Sequence, residues 1–200
     1  MGTEVSASEP VPFLPSLEWY RRYTASLLAG SGEDEARRCA NEALRLPAKE
    51  FTRATLSPGV RLKVPVEGGS SAKRLPPERL IISGHGDWRH THLGAISAIF
   101  GRYPFYRTLA EDMERVYSLY GEAGLPLAEF SQRLHFILKG IILPEELTSA
   151  FPSLPLASRE KGIARGRELL RDSDPSLSLL SMIMNLGPET LLPLLALSSL

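Results

Sequence analysis

The sequence predicts an α+β fold: a small mixed or antiparallel sheet from the N-terminal half, packed with helices from the C-terminal half. Three observations lead there. Short apolar runs with strand-like alternation, bounded by turn signals, fall before residue 84. Apolar residues at three- and four-residue spacing dominate after residue 88. Strands first and helices later is the α+β order. The 200 residues, 43% hydrophobic and 23% charged, suit one ordinary globular domain.

The elements follow in chain order. Residues 1–12 are polar and contain prolines, so a flexible tail is expected there, with 13–200 as a single domain. Leu17, Tyr20, Tyr23, Thr24, Leu27 and Leu28 recur at helical spacing; Ser16 suits the N-cap and Gly30 the stop. Residues 34–46 read as a short helix ending in a strand near 43–46. Residues 51–56 read as a strand, Ser57-Pro58-Gly59 as a turn and 61–66 as an alternating strand. Residues 67–77 form a Gly/Ser/Pro-rich loop, and 79–83 a further strand. Helices are then expected over 89–101, 105–124 and 127–141. In the second, Leu109, Met113, Val116, Leu119 and Tyr120 form the apolar stripe. Residues 151–159 read as a polar, Pro-rich connection and 160–172 as a helix weakened by Gly162 and Gly166. The C-terminal apolar stretch is interrupted by Asn185, Gly187, Pro188 and Glu189, so it reads as two short buried helices rather than a membrane span.

Charge excludes several function classes. Lys+Arg and Asp+Glu are 23 each, so no basic footprint of a dedicated nucleic-acid binder is present. The balance is +4 over residues 1–110 and −4 over 111–200, which makes the first half the better host for an anion. Arg outnumbers Lys 18 to 5, and its planar fork suits carboxylate and phosphate. The single cysteine, Cys39, rules out an internal disulfide and a cysteine-based zinc site. Beside Arg37 and Arg38 it is either a lowered-pKa nucleophile or a partly buried structural thiol. The N-terminus lacks a basic region followed by an apolar run, so a cytoplasmic location is expected.

The densest chemical cluster is residues 83–92, which hold His85, Asp87, Trp88, Arg89, His90 and His92. Three readings are open. His85, Asp87 and His90 with His92 are metal-ligand types, suited to a metal-dependent hydrolase, but His90 and His92 diverge on a helix. Asp87 suits a helix N-cap, with the histidines on the surface. Trp88 and His92 share a helix face, so Trp88 can stack on a ligand ring while His92 serves as general acid or base. Arg89 and Arg102 are then candidates to hold an anion. Against that stands a plain packing role, with Trp88 in the core and His92 making a structural hydrogen bond. Gly68-Gly69-Ser70-Ser71 lacks the spacing of a phosphate-binding loop and reads as a connection.

The pieces taken in order resemble the WbqC-like protein family, bacterial proteins first noticed in polysaccharide gene clusters. The matching positions are Leu14 and Pro15, Arg53, Val64, Pro65 and Val66, Trp88 and His92. Further on they are Gly101, Pro104, Phe105 and Tyr106, then Asn185, Gly187 and Pro188. The resemblance covers roughly residues 13–192. Where many relatives carry Arg-Asn-Arg, this chain has Phe51-Thr52-Arg53. The family is labelled as glycine transferase or left uncharacterised. The resemblance therefore implies transfer of a glycyl or other aminoacyl group to an amino sugar, in surface-polysaccharide metabolism. His92 is then the catalytic base. Trp88, Arg53, Arg89, Arg102 and Asn185 become the substrate-binding candidates, facing a nucleotide-sugar or amino-acid donor. No cofactor is required by the sequence. The altered triplet favours a different class, a non-catalytic ligand-binding or assembly protein of the cell-envelope pathway.

Overall fold

The computed structural model describes residues 8–143 and 176–190. The expected connection at 151–159, the expected helix at 160–172 and the last apolar run lie outside the described residues. The described residues form an α+β fold of six α-helices and a two-stranded antiparallel sheet in the N-terminal half. The helices are α1 (Leu17–Leu28), α2 (Glu33–Ala43), α3 (Trp88–Phe100), α4 (Tyr106–Tyr120), α5 (Leu127–Ile142) and α6 (Leu180–Leu186); the strands are β1 (Arg53–Ser57) and β2 (Val60–Lys63).

Helix α1 begins where its cap chemistry places it: the Ser16 hydroxyl accepts the Trp19 N–H at 3.2 Å. Gly30, at φ 95°, follows its end, in a region glycine enters without a Cβ clash. Packing starts earlier than expected. Val11 is only 2% exposed and Pro10 and Pro12 are buried, so the covered chain reaches back into the segment read as a tail.

No strand forms at 43–46. Leu44 caps α2, the Arg45 N–H bonds to the Glu42 carbonyl and the Leu46 N–H to the Asn41 carbonyl. This pair of bonds is the Schellman pattern, and it places Arg45 at φ 47°. The helical ending satisfies the last carbonyls locally and overrides the strand-like composition.

The ribbon of β1 and β2 pairs Arg53 with Lys63, Ala54 with Leu62 and Thr55 with Arg61, with Pro58 and Gly59 at the turn. Period-2 geometry then sorts the side chains. Ala54, Leu56 and Leu62 turn into the core, while Arg53, Thr55, Arg61 and Lys63 share the outer face. Residues 177–178 lie along the other edge of β1: the Ser178 N–H bonds to the Thr55 carbonyl at 2.7 Å. The same segment bridges Ser16, and the Leu17 N–H bonds to the Leu177 carbonyl at 2.8 Å. The start of α1, the ribbon and the segment before α6 are thereby stitched together.

The expected strand at 79–83 is reduced to single bridges, Ile82 with Val66 and Ile81 with Pro126. Its groups bond alternately to two distant segments, Ile82 N–H to Leu125 and Ser83 N–H to Pro65, so no continuous ladder develops.

The three long helices form as their periodicity predicts. In α4 the buried stripe is Leu109, Met113, Val116 and Tyr117; Leu119, expected in it, is 58% exposed. Helix α3 buries His92, Ile96 and Phe100 at four-residue steps, and α5 buries Phe130, Leu134 and Leu138. Helix α6 ends at Gly187, on which the Phe105 ring packs so closely that a Cβ there would lie 2.4 Å from the ring. The Phe105 N–H bonds to the Met184 carbonyl at 3.1 Å, fixing the α3–α4 turn to α6. No helix among the described residues is long and apolar enough to cross a membrane.

Candidate anion-binding cleft

The outer face of the ribbon carries three cations, Arg53, Arg61 and Lys63, within nine strand positions. Arg53 and Lys63 stand directly opposite each other, and like charges in that position repel. Among the described residues neither makes an ion pair, and neither does Arg61.

A cleft of about 510 Å3 opens over Arg53, Thr55 and Arg61. Leu14, Pro15, Leu44 and Leu46 supply its apolar wall. Two carboxylates line it. Glu18 is already held by Arg21 at 2.5 Å and Arg22 at 2.9 Å, and the Arg21 hydrogen bond keeps it below the usual carboxylate range. Glu50 makes no side-chain contact of that kind among the described residues. The mix of an apolar wall with a few charged groups is that of a small-molecule site.

The rim is held under strain. Leu14 is buried at φ 43°, a left-handed conformation that costs a branched residue about 1 kcal/mol or more. Bonds from the Phe13 N–H to the Phe51 carbonyl and from the Leu179 N–H to the Pro15 carbonyl keep it there.

A second pocket, of about 200 Å3, lies on the other side of Arg53. Lys49, Lys63, His85 and Ser83 line it together with Arg53, and Gly69 brings the glycine loop to its wall. Arg53 is thus common to both cavities.

The expected site residues are dispersed. Trp88 and His92 do share a face, with ring centroids 5.0 Å apart, but they join an aromatic cluster rather than a cleft. Phe13 stacks on His92 at 5.5 Å, and Phe130 contacts Phe13 and Trp88 at 5.7 Å each. His92 is 3% exposed. Its Nε2 accepts the Lys63 backbone N–H at 3.2 Å, which places the proton on Nδ1, facing the Tyr117 hydroxyl at 3.3 Å. Burial pulls the imidazole down to about 4. His92 is thus buried with its acceptor nitrogen already bonded, as in the packing alternative, and it lines neither cleft.

Arg89 is exposed on the first turn of α3, with its stem beside Gly121 at the C-terminus of α4, where a cation is favourable. Arg102 is exposed in the turn after α3, and Asn185 is exposed on α6. None of these three lines either cleft. Of the expected binding residues, Arg53 alone reaches them. Asp87 stands at the N-cap position of α3 without a side-chain bond to the helix; its carbonyl accepts from Thr91 instead. His85, Asp87 and His90 are exposed while His92 is buried, and no group of three metal-ligand residues converges among the described residues. Cys39 is half-buried with its Sγ 3.5 Å from Glu35.

Arg61, Lys63, Lys49 and Glu50 were not singled out by motif. Arg61 and Lys63 carry one signal, the alternation of cation and apolar residue over 61–64; Lys49 and Glu50 lie outside it and carry none. The fourth histidine, His135, is buried among Trp19, Tyr20 and Tyr23, and its Nδ1 meets the Tyr20 hydroxyl at 2.7 Å. Burial lowers it to about 3. Its Nε2 faces Glu33 at 3.9 Å, and Glu33 in turn pairs with Arg37 and Lys139.

Comparison with known proteins gives no match to a family model, to a curated protein or to a solved structure, so the reading of the cleft rests on its own geometry.

Proposed function

We propose that this chain is a ligand-binding protein for an anionic small molecule, held in the cleft over β1 and β2. One observation carries this reading: Arg53 and Arg61 line a concave, partly apolar site and have no acidic partner among the described residues. A guanidinium pairs with a carboxylate or phosphate in two parallel hydrogen bonds, which gives orientation as well as affinity. The apolar wall suits the ring of a sugar acid or of a related metabolite. The resemblance to the WbqC-like family points to the same class, sugars and their activated donors.

The test is a thermal-stability screen with sugar acids, nucleotide-sugars and amino acids. A ligand that binds only the folded chain stabilises it by about 2.7 kcal/mol at a hundredfold excess over its Kd. We expect a rise with anionic sugars that Arg61→Ala abolishes. A screen in which neutral sugars raise the midpoint as much as their acids would refute the reading.

A second reading, aminoacyl transfer to a sugar-linked amine, is favoured by Glu50. Its carboxylate shares the cleft with Arg53, so it is placed to take a proton from an attacking amine, while Arg53 steadies the carbonyl oxygen. Turnover of an activated glycine donor that vanishes in Glu50→Gln supports transfer; binding without turnover leaves the protein in the ligand-binding class.

A further inference from the structure

We infer that the smaller pocket between Arg53 and Lys63 is a phosphoryl subsite, which takes the phosphate or diphosphate end of a small molecule. That its ligand continues into the larger cleft rests on the proposed function above; the subsite itself does not.

Three independent features point to this chemistry. The first is charge. Lys49, Arg53 and Lys63 all line the pocket, with His85 beside them, and among the described residues no Asp or Glu does. Three cations gathered around one small cavity repel one another unless a counter-charge sits among them. The neighbouring Glu50 does not relieve it. Lys49 and Glu50 are successive residues of one 3-10 turn, and they part there, Lys49 to this pocket and Glu50 to the larger cleft.

The second is register. Arg53 and Lys63 are cross-strand partners, so their side chains leave the ribbon on the same face, close together. The backbone fixes this pair: Val64 N–H bonds to the Thr52 carbonyl at 2.9 Å, and the Lys63 N–H is taken by His92. The two cations therefore cannot drift apart by slippage of the strand. An anion with several oxygens can bond both at once, and a phosphoryl group has three.

The third is an unspent neutral donor. Ser83 is buried and lines the pocket; its Oγ accepts the His85 N–H at 3.4 Å, which leaves the hydroxyl hydrogen without an acceptor among the described residues. A hydroxyl hydrogen beside three cations is the arrangement that receives a phosphate oxygen rather than a metal or a base. The Thr52 hydroxyl plays a supporting part, donating to the Lys49 carbonyl at 2.8 Å and holding that turn.

The experiment is calorimetric titration of the full chain at low ionic strength with two separate probes, pyrophosphate and glucuronate. Pyrophosphate should bind with a Kd below about 1 mM. Lys49→Ala and Lys63→Ala should each weaken it about tenfold, and Ser83→Ala severalfold, as loss of a charged or neutral hydrogen bond requires. Lys63→Arg should restore most of the affinity, and Arg61→Ala, confined to the larger cleft, should change it by less than about twofold. Circular dichroism keeps the variants comparable, since Lys49 and Lys63 are exposed and leave the core intact. Absence of pyrophosphate binding to the wild-type chain overturns the subsite, and so does unchanged affinity in the Lys49→Ala/Lys63→Ala double variant. If pyrophosphate binds as described and glucuronate does not, the larger-cleft reading fails while the subsite stands.

Discussion

The Nε2 of His92 accepts the backbone N–H of Lys63 at 3.2 Å, across 29 residues of sequence. Among the described residues no strand pairs with the outer side of β2, where the Lys63 N–H points, so the imidazole supplies its acceptor. One histidine thus joins the aromatic cluster to the basic face of the ribbon. His92→Ala should lower stability by about 3 kcal/mol, from the cavity and from the orphaned N–H together. His92→Gln, whose carbonyl oxygen can reach the same donor, should recover part of this. Amide exchange at Lys63, fast in the alanine variant and slower in the glutamine variant, checks the assignment.

The two buried histidines make the fold acid-sensitive. His92 and His135 stay neutral in the folded chain down to about 4 and about 3, whereas the unfolded chain takes up these protons near 6.5. Their depressed values mean that stability is fully present above pH 6.5 and is lost as pH falls toward the folded values. The slope is up to about 1.4 kcal/mol per pH unit for each ring. Glu18 and Glu33, both held below 4.5, add the same sign at lower pH. Urea midpoints at pH 7, 6, 5 and 4.5 should fall steadily, and His92→Gln should roughly halve the slope. A flat profile over this range would contradict the burial argument.

Gly187 is required by contact with Phe105. At φ 53° it stands in the left-handed region, and an added Cβ would meet three ring carbons at 2.4 to 2.7 Å. Gly187→Ala should destabilise by about 2 kcal/mol or more, from strain and overpacking. Phe105→Ala removes the ring that would clash, so the double variant should be less destabilised than the sum of the two single changes. A double-mutant cycle by urea unfolding reads this directly; strict additivity would show that the contact does not limit the site.

Arg45 occupies the αL position after α2, where glycine is the unstrained residue. Its side chain is exposed and makes no ion pair among the described residues. Arg45→Gly should therefore stabilise the chain by about 0.5–1 kcal/mol, seen as a higher Tm.

Much of this fold is written locally. The Ser16 cap, the turn at Pro58 and Gly59, and the presence of helices α3, α4 and α5 follow from residue types and spacing. The failures share a cause. Residues 79–83 have strand-like composition, but their partners lie near 65 and 125, and a sequence pattern carries no account of where partners sit. Leu119 has the right spacing for the α4 stripe, yet Tyr117 takes the buried place because α3 and α5 present aromatic rings there. The site shows the same division. Arg53 is singled out by the family resemblance alone, within a segment that reads as a strand. That Lys49, Lys63 and Ser83 gather around it depends on the ribbon register and the course of 67–83, which only the packed chain reveals. His92 reads from the sequence either as a chemical group or as a packed one, because burial is invisible in a motif.

The Arg53 and Lys63 pair is proposed as a built anion site and not a solvated surface. A double-mutant cycle on stability, run with and without pyrophosphate, tests it most directly. Without anion, the pair should show repulsive coupling of about 0.2–1 kcal/mol, so that removing either cation as Arg53→Gln or Lys63→Gln is neutral or stabilising. With pyrophosphate present, the sign should reverse, and each variant should lose the ligand-induced gain. Coupling that is zero in both conditions, or variants that gain as much stability from pyrophosphate as the wild-type chain, would contradict the account.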